Sequence, residues 1–173
     1  MSQLRIETAR LLITEFDESM AECVHINSLD ENTRRLVPDE VFATVQEAHD
    51  AITFLITCYG DTASPLVYPV LLQSGENIGY VQAVPLADEW EVGYHIAAKH
   101  TGNGYASEAV DGFLPVIMRK LGIERIWGIC RADNAASRRV LEKCGFSLAS
   151  QTVGDYHGEV HELCKYLWTV KQA

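Results

Sequence analysis

A chain of 173 residues, of which 47% are hydrophobic and 22% are charged, has the composition of an ordinary globular protein and suits one domain. The net charge of −10 disfavours nucleic acid as a partner, because duplex binding needs a basic face. No apolar run approaches the ~20 residues of a membrane span, and no signal peptide is apparent. Five cysteines without Cys-x-x-Cys spacing argue against a disulfide framework, so we expect a cytoplasmic protein without membrane contact.

The first third of the chain shows hydrophobic periodicity in three of its four segments. In chain order, the pattern predicts a strand over 4–14, a helix over 17–29, an irregular segment over 30–43 and a helix over 44–59. Thr44 and Glu47 have the spacing of a capping box, and Gly60 is placed to end the second helix.

The rest of the chain alternates predicted strands and helices. In order, these are strands over 66–73, 77–84 and 89–97, a helix from a glycine-rich turn to about Leu121, a strand over 124–131, a helix over 134–144, and strands over 147–155 and 159–170. Pro115 predicts a kink or an early end in the first of these helices, because proline lacks the N–H that a helix needs. No repeat or linker divides the chain, and this order predicts an α/β layer on a mixed sheet.

Gly102 and Gly104 are separated by one residue, after a predicted strand and before a predicted helix. The first N–H groups of a helix have no partner within it and lie at the positive end of its dipole, so they form a ready anion site. Glycine allows a phosphate to approach closely and takes backbone dihedrals that a Cβ forbids. A lone G-x-G is nevertheless weak evidence for a function.

A second segment, from Asn134 to Phe146, makes the glycine turn more specific. The two resemble the core motifs of the GNAT superfamily of CoA-dependent N-acetyltransferases: the Q/R-x-x-G-x-G/A pyrophosphate turn, with Thr101 in place of Gln or Arg, and the N-x-x-S…E-K-x-G-F segment. The opening Ile6–Ile13 also resembles the first strand of the RimJ/RimL-like branch, which acetylates ribosomal-protein N-termini. The three matches follow the family's order and span most of the chain.

The resemblance implies one GNAT-like domain over residues 1–173, of α/β (mixed α+β) class. It implies a central, mixed and mostly antiparallel sheet of about six to seven strands, flanked by about four helices. It further implies acetyl-CoA as the acyl donor, no metal, and a primary amine as the acceptor. The sequence does not define the oligomeric state, for which a homodimer is one candidate. The residues that the resemblance places at the cofactor are His95, Ile96, Thr101, Gly102, Asn103, Gly104, Tyr105, Ala106, Ser107, Asn134, Ser137 and Lys143.

Several of these positions have specific implied roles. In the family, the pantetheine arm lies along the strand that contains His95 and Ile96, beside which the sheet opens toward the strand over 124–131. Asn134 matches the residue that hydrogen-bonds the pantetheine amide, and it is equally suited to cap the following helix. Both roles are compatible, because the cap uses one side of the amide only.

Acetyl transfer to an amine needs a proton donor for the departing thiolate. Many relatives have a tyrosine where this chain has Leu141, which cannot donate. The resemblance to the ribosomal branch implies Ser137 instead, whose hydroxyl would hold and polarise the sulfur. The alternative for Ser137 is a local cap on the helix.

Two carboxylates are candidates for the general base. Glu91 lies on the central strand, where several family members carry a carboxylate that deprotonates the amine through water. Asp155 lies in a stretch that resembles the E-Y-x-x-G of the ribosomal branch, with a one-residue gap and Asp in place of Glu. For each, a solvated strand carboxylate is the alternative.

The acceptor is less well defined by the sequence. An α-amine of pKa ~8 is roughly one quarter neutral at physiological pH, whereas lysine is only ~0.1% neutral, which favours an N-terminal or small-molecule amine. Trp90 and Tyr94 are equally suited to an acceptor pocket and to the core. The spacing of His157, Glu159 and His161 is a weak metal signal. A GNAT-fold protein that binds acetyl-CoA as a sensor or scaffold, without turnover, is the alternative to an enzyme.

Overall fold

The fold was obtained as a computed structural model that describes residues 3–171, and one sheet of eight strands forms its centre. The strands are β1 (Arg5–Glu7), β2 (Leu11–Thr14), β3 (Leu66–Leu72), β4 (Asn77–Leu86), β5 (Glu89–Ile96), β6 (Arg125–Arg131), β7 (Ser147–Tyr156) and β8 (Glu159–Thr169). Their order is β1-β2-β3-β4-β5-β6-β8-β7, and all neighbours are antiparallel except β5 and β6. The predicted mixed, mostly antiparallel sheet is confirmed.

The strand count exceeds the predicted six to seven, because the segment over 4–14 folds as two strands. Thr8 closes a turn between β1 and β2: its N–H donates to the Leu11 carbonyl over 2.9 Å, and its Oγ1 accepts from the Leu11 N–H over 3.0 Å. A hydroxyl that binds nearby backbone groups competes with continued strand pairing. The alternation of apolar residues on both sides of the turn conceals this break in the sequence.

Five α-helices accompany the sheet in the described residues, one more than predicted. They are α1 (Ala21–Ser28), α2 (Glu31–Leu36), α3 (Val45–Cys58), α4 (Tyr105–Leu121) and α5 (Ala135–Lys143). The additional helix, α2, lies in the segment predicted to be irregular. Its N-cap Asp30 accepts a 2.7 Å hydrogen bond from the Thr33 N–H. At six residues α2 is too short to show hydrophobic periodicity, and its cap is the only sequence signal for it.

The helix ends follow local chemistry with one exception. Thr44 caps α3 through the Glu47 N–H, as predicted, and Gly122 ends α4 in the left-handed conformation. The predicted early end at Pro115 is wrong, because α4 continues to Leu121. Pro115 is exposed and removes one hydrogen bond only, whereas the buried residues Phe113 and Ile117 on either side hold the helix against the core.

The helices cover both faces of the sheet, so the side chains of β4 and β5 contribute either to the main core or to a cavity on the other face. Successive residues of a strand point to opposite faces. Val81, Ala83 and Val92 are buried in the main core, where α4 contacts both strands. Tyr80, Gln82 and His95 alternate with them and line a cavity together with residues of α1 and α3.

Candidate active site

The glycine turn presents a row of free backbone donors at the start of α4. Gly102 and Gly104 have φ values of 80° and 81°, which a residue with a Cβ adopts only with strain. The N–H groups from Gly102 to Ser107 donate no hydrogen bond to any residue of the described range 3–171. Together with the positive end of a helix that continues to Leu121, six successive N–H groups suit a diphosphate.

Arg10, which the sequence analysis did not single out, holds this turn in place. Its Nη1 donates to the Asn103 carbonyl over 2.9 Å, and its Nε to Glu108 over 2.7 Å. Its guanidinium lies 4.5 Å from the centre of the Tyr105 ring. Glu108 also accepts from Thr8 Oγ1. Partial burial acts to raise the pKa of Glu108, but the hydrogen bonds from Thr8 and Arg10 outweigh it and hold the pKa below its ordinary value. The turn between β1 and β2 thus supports the glycine turn, about ninety residues later in the chain.

The sheet opens immediately next to the glycine turn. Strands β5 and β6 pair at two positions only, Glu91 with Trp127 and Val92 with Gly128. Beyond Val92 they separate, while β5 remains paired with β4 as far as Ile96. The part of β5 from Gly93 to Ile96 therefore has one backbone edge facing a gap instead of a neighbouring strand. An extended chain of the ligand can add along such an edge.

Helix α5 forms one side of this gap. Asn134 caps it, accepting from the Ser137 N–H over 3.1 Å with Oδ1, so its amide nitrogen remains available. Leu141 is buried against β6 at Gly128, where an added Cβ would meet Leu141 Cδ2 at 2.5 Å. Lys143, at the end of α5, is exposed. Because Leu141 packs into the core, it leaves the gap without the tyrosine found there in many relatives.

Tyr94 of β5 contacts helix α5 at Ser137. Its Oη lies 2.9 Å from Ser137 Oγ and also donates to the Ser137 carbonyl over 3.0 Å. Burial raises the pKa of Tyr94 above its ordinary value, so the phenol keeps its proton at neutral pH. The sequence left Tyr94 undecided between core and pocket, because only the separation of β5 from β6 brings it to Ser137.

Glu91 lies at one of the two positions where β5 and β6 are paired. Burial raises the pKa of its carboxyl to about 7, and the charge of Lys165 offsets a part of this effect. Glu91 and Tyr94 are three residues apart on one strand, so their side chains point to opposite faces of the sheet. A carboxylate that titrates near neutrality and a protonated phenol therefore flank the gap from opposite sides.

Asp155 is placed differently from Glu91. It lies at the end of β7 with an exposed side chain, and its Oδ1 accepts weakly from the Gly158 N–H over 3.4 Å within the hairpin turn. The next residue, Tyr156, is half-buried, and burial raises its pKa, with smaller contributions from Glu91 and Cys130.

The structure thus brings Glu91, Tyr94 and Ser137 around one gap, with the glycine turn beside it. His95 turns away from the gap, and its Nε2 lies 2.8 Å from Thr33 Oγ1. Burial lowers the pKa of His95, although Asp30 counteracts this. Asp155 and Lys143 lie at the exposed margin.

The residues of the weak metal signal do not meet. His157 Nδ1 lies 2.6 Å from Asp39, whereas His161 lies 3.2 Å from Glu159. Over residues 3–171, no cluster of three or more potential metal ligands is present. In the same range, every helix is too short or too polar to cross a membrane.

Comparisons with known proteins agree with this geometry. A model of the acetyltransferase (GNAT) domain matches residues 10–147. The protein YnaD of Bacillus subtilis (strain 168), named as an uncharacterized N-acetyltransferase, is 30% identical over 145 residues, which cover 82% of each chain.

Two solved structures show the same fold. A GNAT-family acetyltransferase from Bacillus anthracis superposes with a TM-score of 0.82 at 24% identity and covers 96% of this chain and 98% of its own. The ribosomal α-N-protein acetyltransferase RimL in complex with coenzyme A gives a TM-score of 0.83 at 20% identity, with the same coverage of 96% and 98%. The family expected from the glycine turn and the Asn134–Phe146 segment is confirmed: the chain belongs to the GNAT family of acetyltransferases.

Proposed function

We propose that this protein binds acetyl-CoA and transfers its acetyl group directly to a primary amine, either a peptide α-amine or the amine of a small molecule. The observation that carries the proposal is the gap between β5 and β6, which has Glu91 on one face of the sheet and the Tyr94–Ser137 pair on the other. An attacking amine and a departing thiolate need proton acceptor and proton donor on opposite sides of one carbonyl carbon.

The donor would be held mainly by the backbone. The N–H groups from Gly102 to Ser107 suit its pyrophosphate, and the free edge of β5 at His95 and Ile96 suits its pantetheine arm. Asn134 has its amide nitrogen free for the same arm. Thr101, Asn103, Tyr105 and Ala106 contribute to the shape of the turn. Lys143 is exposed at the end of α5, where its charge can only assist from the surface.

In the transfer step, the amine nitrogen forms a bond to the thioester carbon and the carbon–sulfur bond breaks. Glu91 is ionised in about half of the molecules near pH 7, and it accepts the proton that the amine loses. The departing thiolate accepts a hydrogen bond from the Tyr94–Ser137 pair, which keeps its protons, and the proton held by Glu91 passes to the product thiol or to solvent. Asp155 is the second candidate for the base, but its exposed side chain and its bond to the hairpin turn support this role less well.

The test is a steady-state transfer assay. Thiol release from acetyl-CoA is measured with a panel of peptides and small primary amines, and the product is identified as the N-acetyl amine by mass spectrometry. We expect turnover that depends on both substrates and saturates in each. Tight binding of acetyl-CoA with no transfer to any amine would favour the sensor or scaffold instead.

A further inference from the structure

A cavity of about 250 Å³ lies on the face of the sheet that is opposite to α4. Strands β4 and β5 form its floor, while α1, α3 and the segment after α2 form its walls. Most of the wall is apolar, from Phe16, Val24, Phe42, Ile52 and Leu55. The volume is below the roughly 300–1,000 Å³ of sites for drug-sized ligands, so it suits one compact group and not an extended molecule.

The cavity extends to the proposed transfer site. Gln82, in its floor, lies over Gly93, where an added Cβ would be 2.6 Å from Gln82 Nε2. Gly93 is the first residue of β5 beyond its pairing with β6. Glu91 precedes Gly93 by two residues on β5, so both positions belong to the face of the sheet that carries Gln82. The end of the cavity at Gln82 therefore lies toward Glu91.

Most polar groups that line the cavity already have partners. Thr33 and His95 bind each other, Ser28 Oγ donates to the His25 carbonyl over 2.8 Å, and Asn27 donates to the Asn77 carbonyl over 2.9 Å. Those without a partner include the buried Asn77 Nδ2 and the carboxylate of Glu40, which has no hydrogen bond or ion pair to any residue between 3 and 171. Burial raises the pKa of Glu40 to about 8, with a smaller contribution from Asp39.

The position of Glu40 is fixed by its neighbours. It ends a 3-10 turn, Pro38–Glu40, in which its N–H donates to the Val37 carbonyl over 2.9 Å. Asp39 contacts His157 of the β7–β8 turn, so this segment is attached to the hairpin that carries Tyr156. An unpaired carboxylate in a mostly apolar wall is costly, and a cation beside it would remove that cost.

We propose that this cavity selects the acceptor, and that the preferred acceptor is a primary amine next to a compact apolar group, such as an aromatic ring. The apolar group fills the cavity, and the ammonium lies between Glu40 and Glu91, from where its neutral form reaches the thioester. This inference rests on the proposed function and adds the class of substrate. The same chemistry is present in a free aralkylamine and in a peptide with phenylalanine at its N-terminus.

The experiment compares matched amines in the transfer assay. Phenethylamine and ethanolamine are both unhindered primary amines, but only the first has an apolar group for the cavity. We expect kcat/KM to be roughly 10- to 100-fold higher for phenethylamine, the range that a hydrophobic pocket can supply. The same kcat/KM comparison between a peptide that begins with phenylalanine and one that begins with serine shows whether the acceptor is a peptide or a free amine.

Two variants test the cavity itself. Val24→Phe fills it and should remove the preference for phenethylamine, while ethanolamine continues to be acetylated. Glu40→Gln should raise KM for phenethylamine at least fivefold and leave KM for acetyl-CoA unchanged. Glu31→Gln is the matched control, because Glu31 is exposed on α2 and should change neither constant.

Equal or better use of ethanolamine would overturn the inference and leave the transferase intact. If no amine is acetylated, calorimetric titration of phenethylamine into the CoA-saturated protein decides the matter. Binding that Val24→Phe weakens would support the cavity as an amine site although the proposed function had failed. Absence of binding would overturn the inference as well.

Discussion

Glu91 is the single residue whose environment most changes its chemistry. Its carboxyl has a pKa of about 7 because it is buried. As a base it must be ionised, so kcat/KM should increase with pH through about 7. We expect Glu91→Gln to abolish this increase of kcat/KM with pH and to lower kcat/KM by roughly 10²- to 10⁴-fold. Asp155→Asn is the control, and pH–rate profiles of both variants decide which carboxylate acts. A profile that both variants share with the wild type would mean that the amine arrives already neutral.

The same burial has a consequence for stability. In the unfolded chain Glu91 titrates near its ordinary value of 4.5, and in the folded protein near 7. The unfolded state therefore binds fewer protons between these values, and the free energy of unfolding falls as the pH rises from 4.5 to 7. The free energy of unfolding of Glu91→Gln, minus that of the wild type, should therefore be larger at pH 8 than at pH 4. The increase should be on the order of 3 kcal/mol. Denaturant unfolding at both pH values measures this, and an equal difference at the two would contradict it.

Tyr94 and Ser137 share a hydrogen bond and should act as one unit. We expect Ser137→Ala and Tyr94→Phe each to lower kcat by roughly 10²-fold, because each removes part of the donor to the thiolate. The double variant should be little worse than either single one, since residues that act together are not additive. Ser147→Ala, an exposed serine on β7, serves as the control. If each single variant lowers kcat by less than about twofold, the pair has a structural role.

At the scale of the elements, helix α4 has a left-handed glycine at each end, and only one end has a proposed ligand. Gly104→Val should raise KM for acetyl-CoA at least tenfold, because φ of 81° is unavailable to valine and the backbone must withdraw from the phosphates. Gly122→Val introduces comparable strain at φ of 65°, far from the turn. Thermal unfolding should show similar losses for both variants. An unchanged KM in Gly104→Val would exclude the turn as the pyrophosphate site.

Elements with strong local signals could be predicted from the sequence, and those that depend on distant contacts could not. Residue type and spacing predict the caps at Thr44 and Asn134, and both caps form. The continuation of α4 through Pro115 depends on burial of the residues around it, which outweighs the local preference. Helix α2 is stabilised by Asp30, which also accepts from the Ala98 N–H over 3.1 Å, a contact across 68 residues.

The site shows the same division between local and distant information. The motif residues predicted the glycine turn and the cap at Asn134 from local spacing, and both are present in the structure. Tyr94 and Glu40 carry no motif, and their importance arises from the separation of β5 and β6 and from a cavity between elements far apart in sequence. Arg10 belongs to the opening segment, but its contact with Asn103 is visible only in the folded chain.

For the whole molecule, the central claim is that donor and acceptor meet in one gap of the sheet and react directly. A bisubstrate compound that joins the thiol of CoA to phenethylamine through an acetyl bridge tests this claim in one measurement. We expect it to bind more tightly than CoA and to inhibit competitively against both acetyl-CoA and the amine. A compound that binds no better than CoA and competes with acetyl-CoA alone would contradict direct transfer at this site.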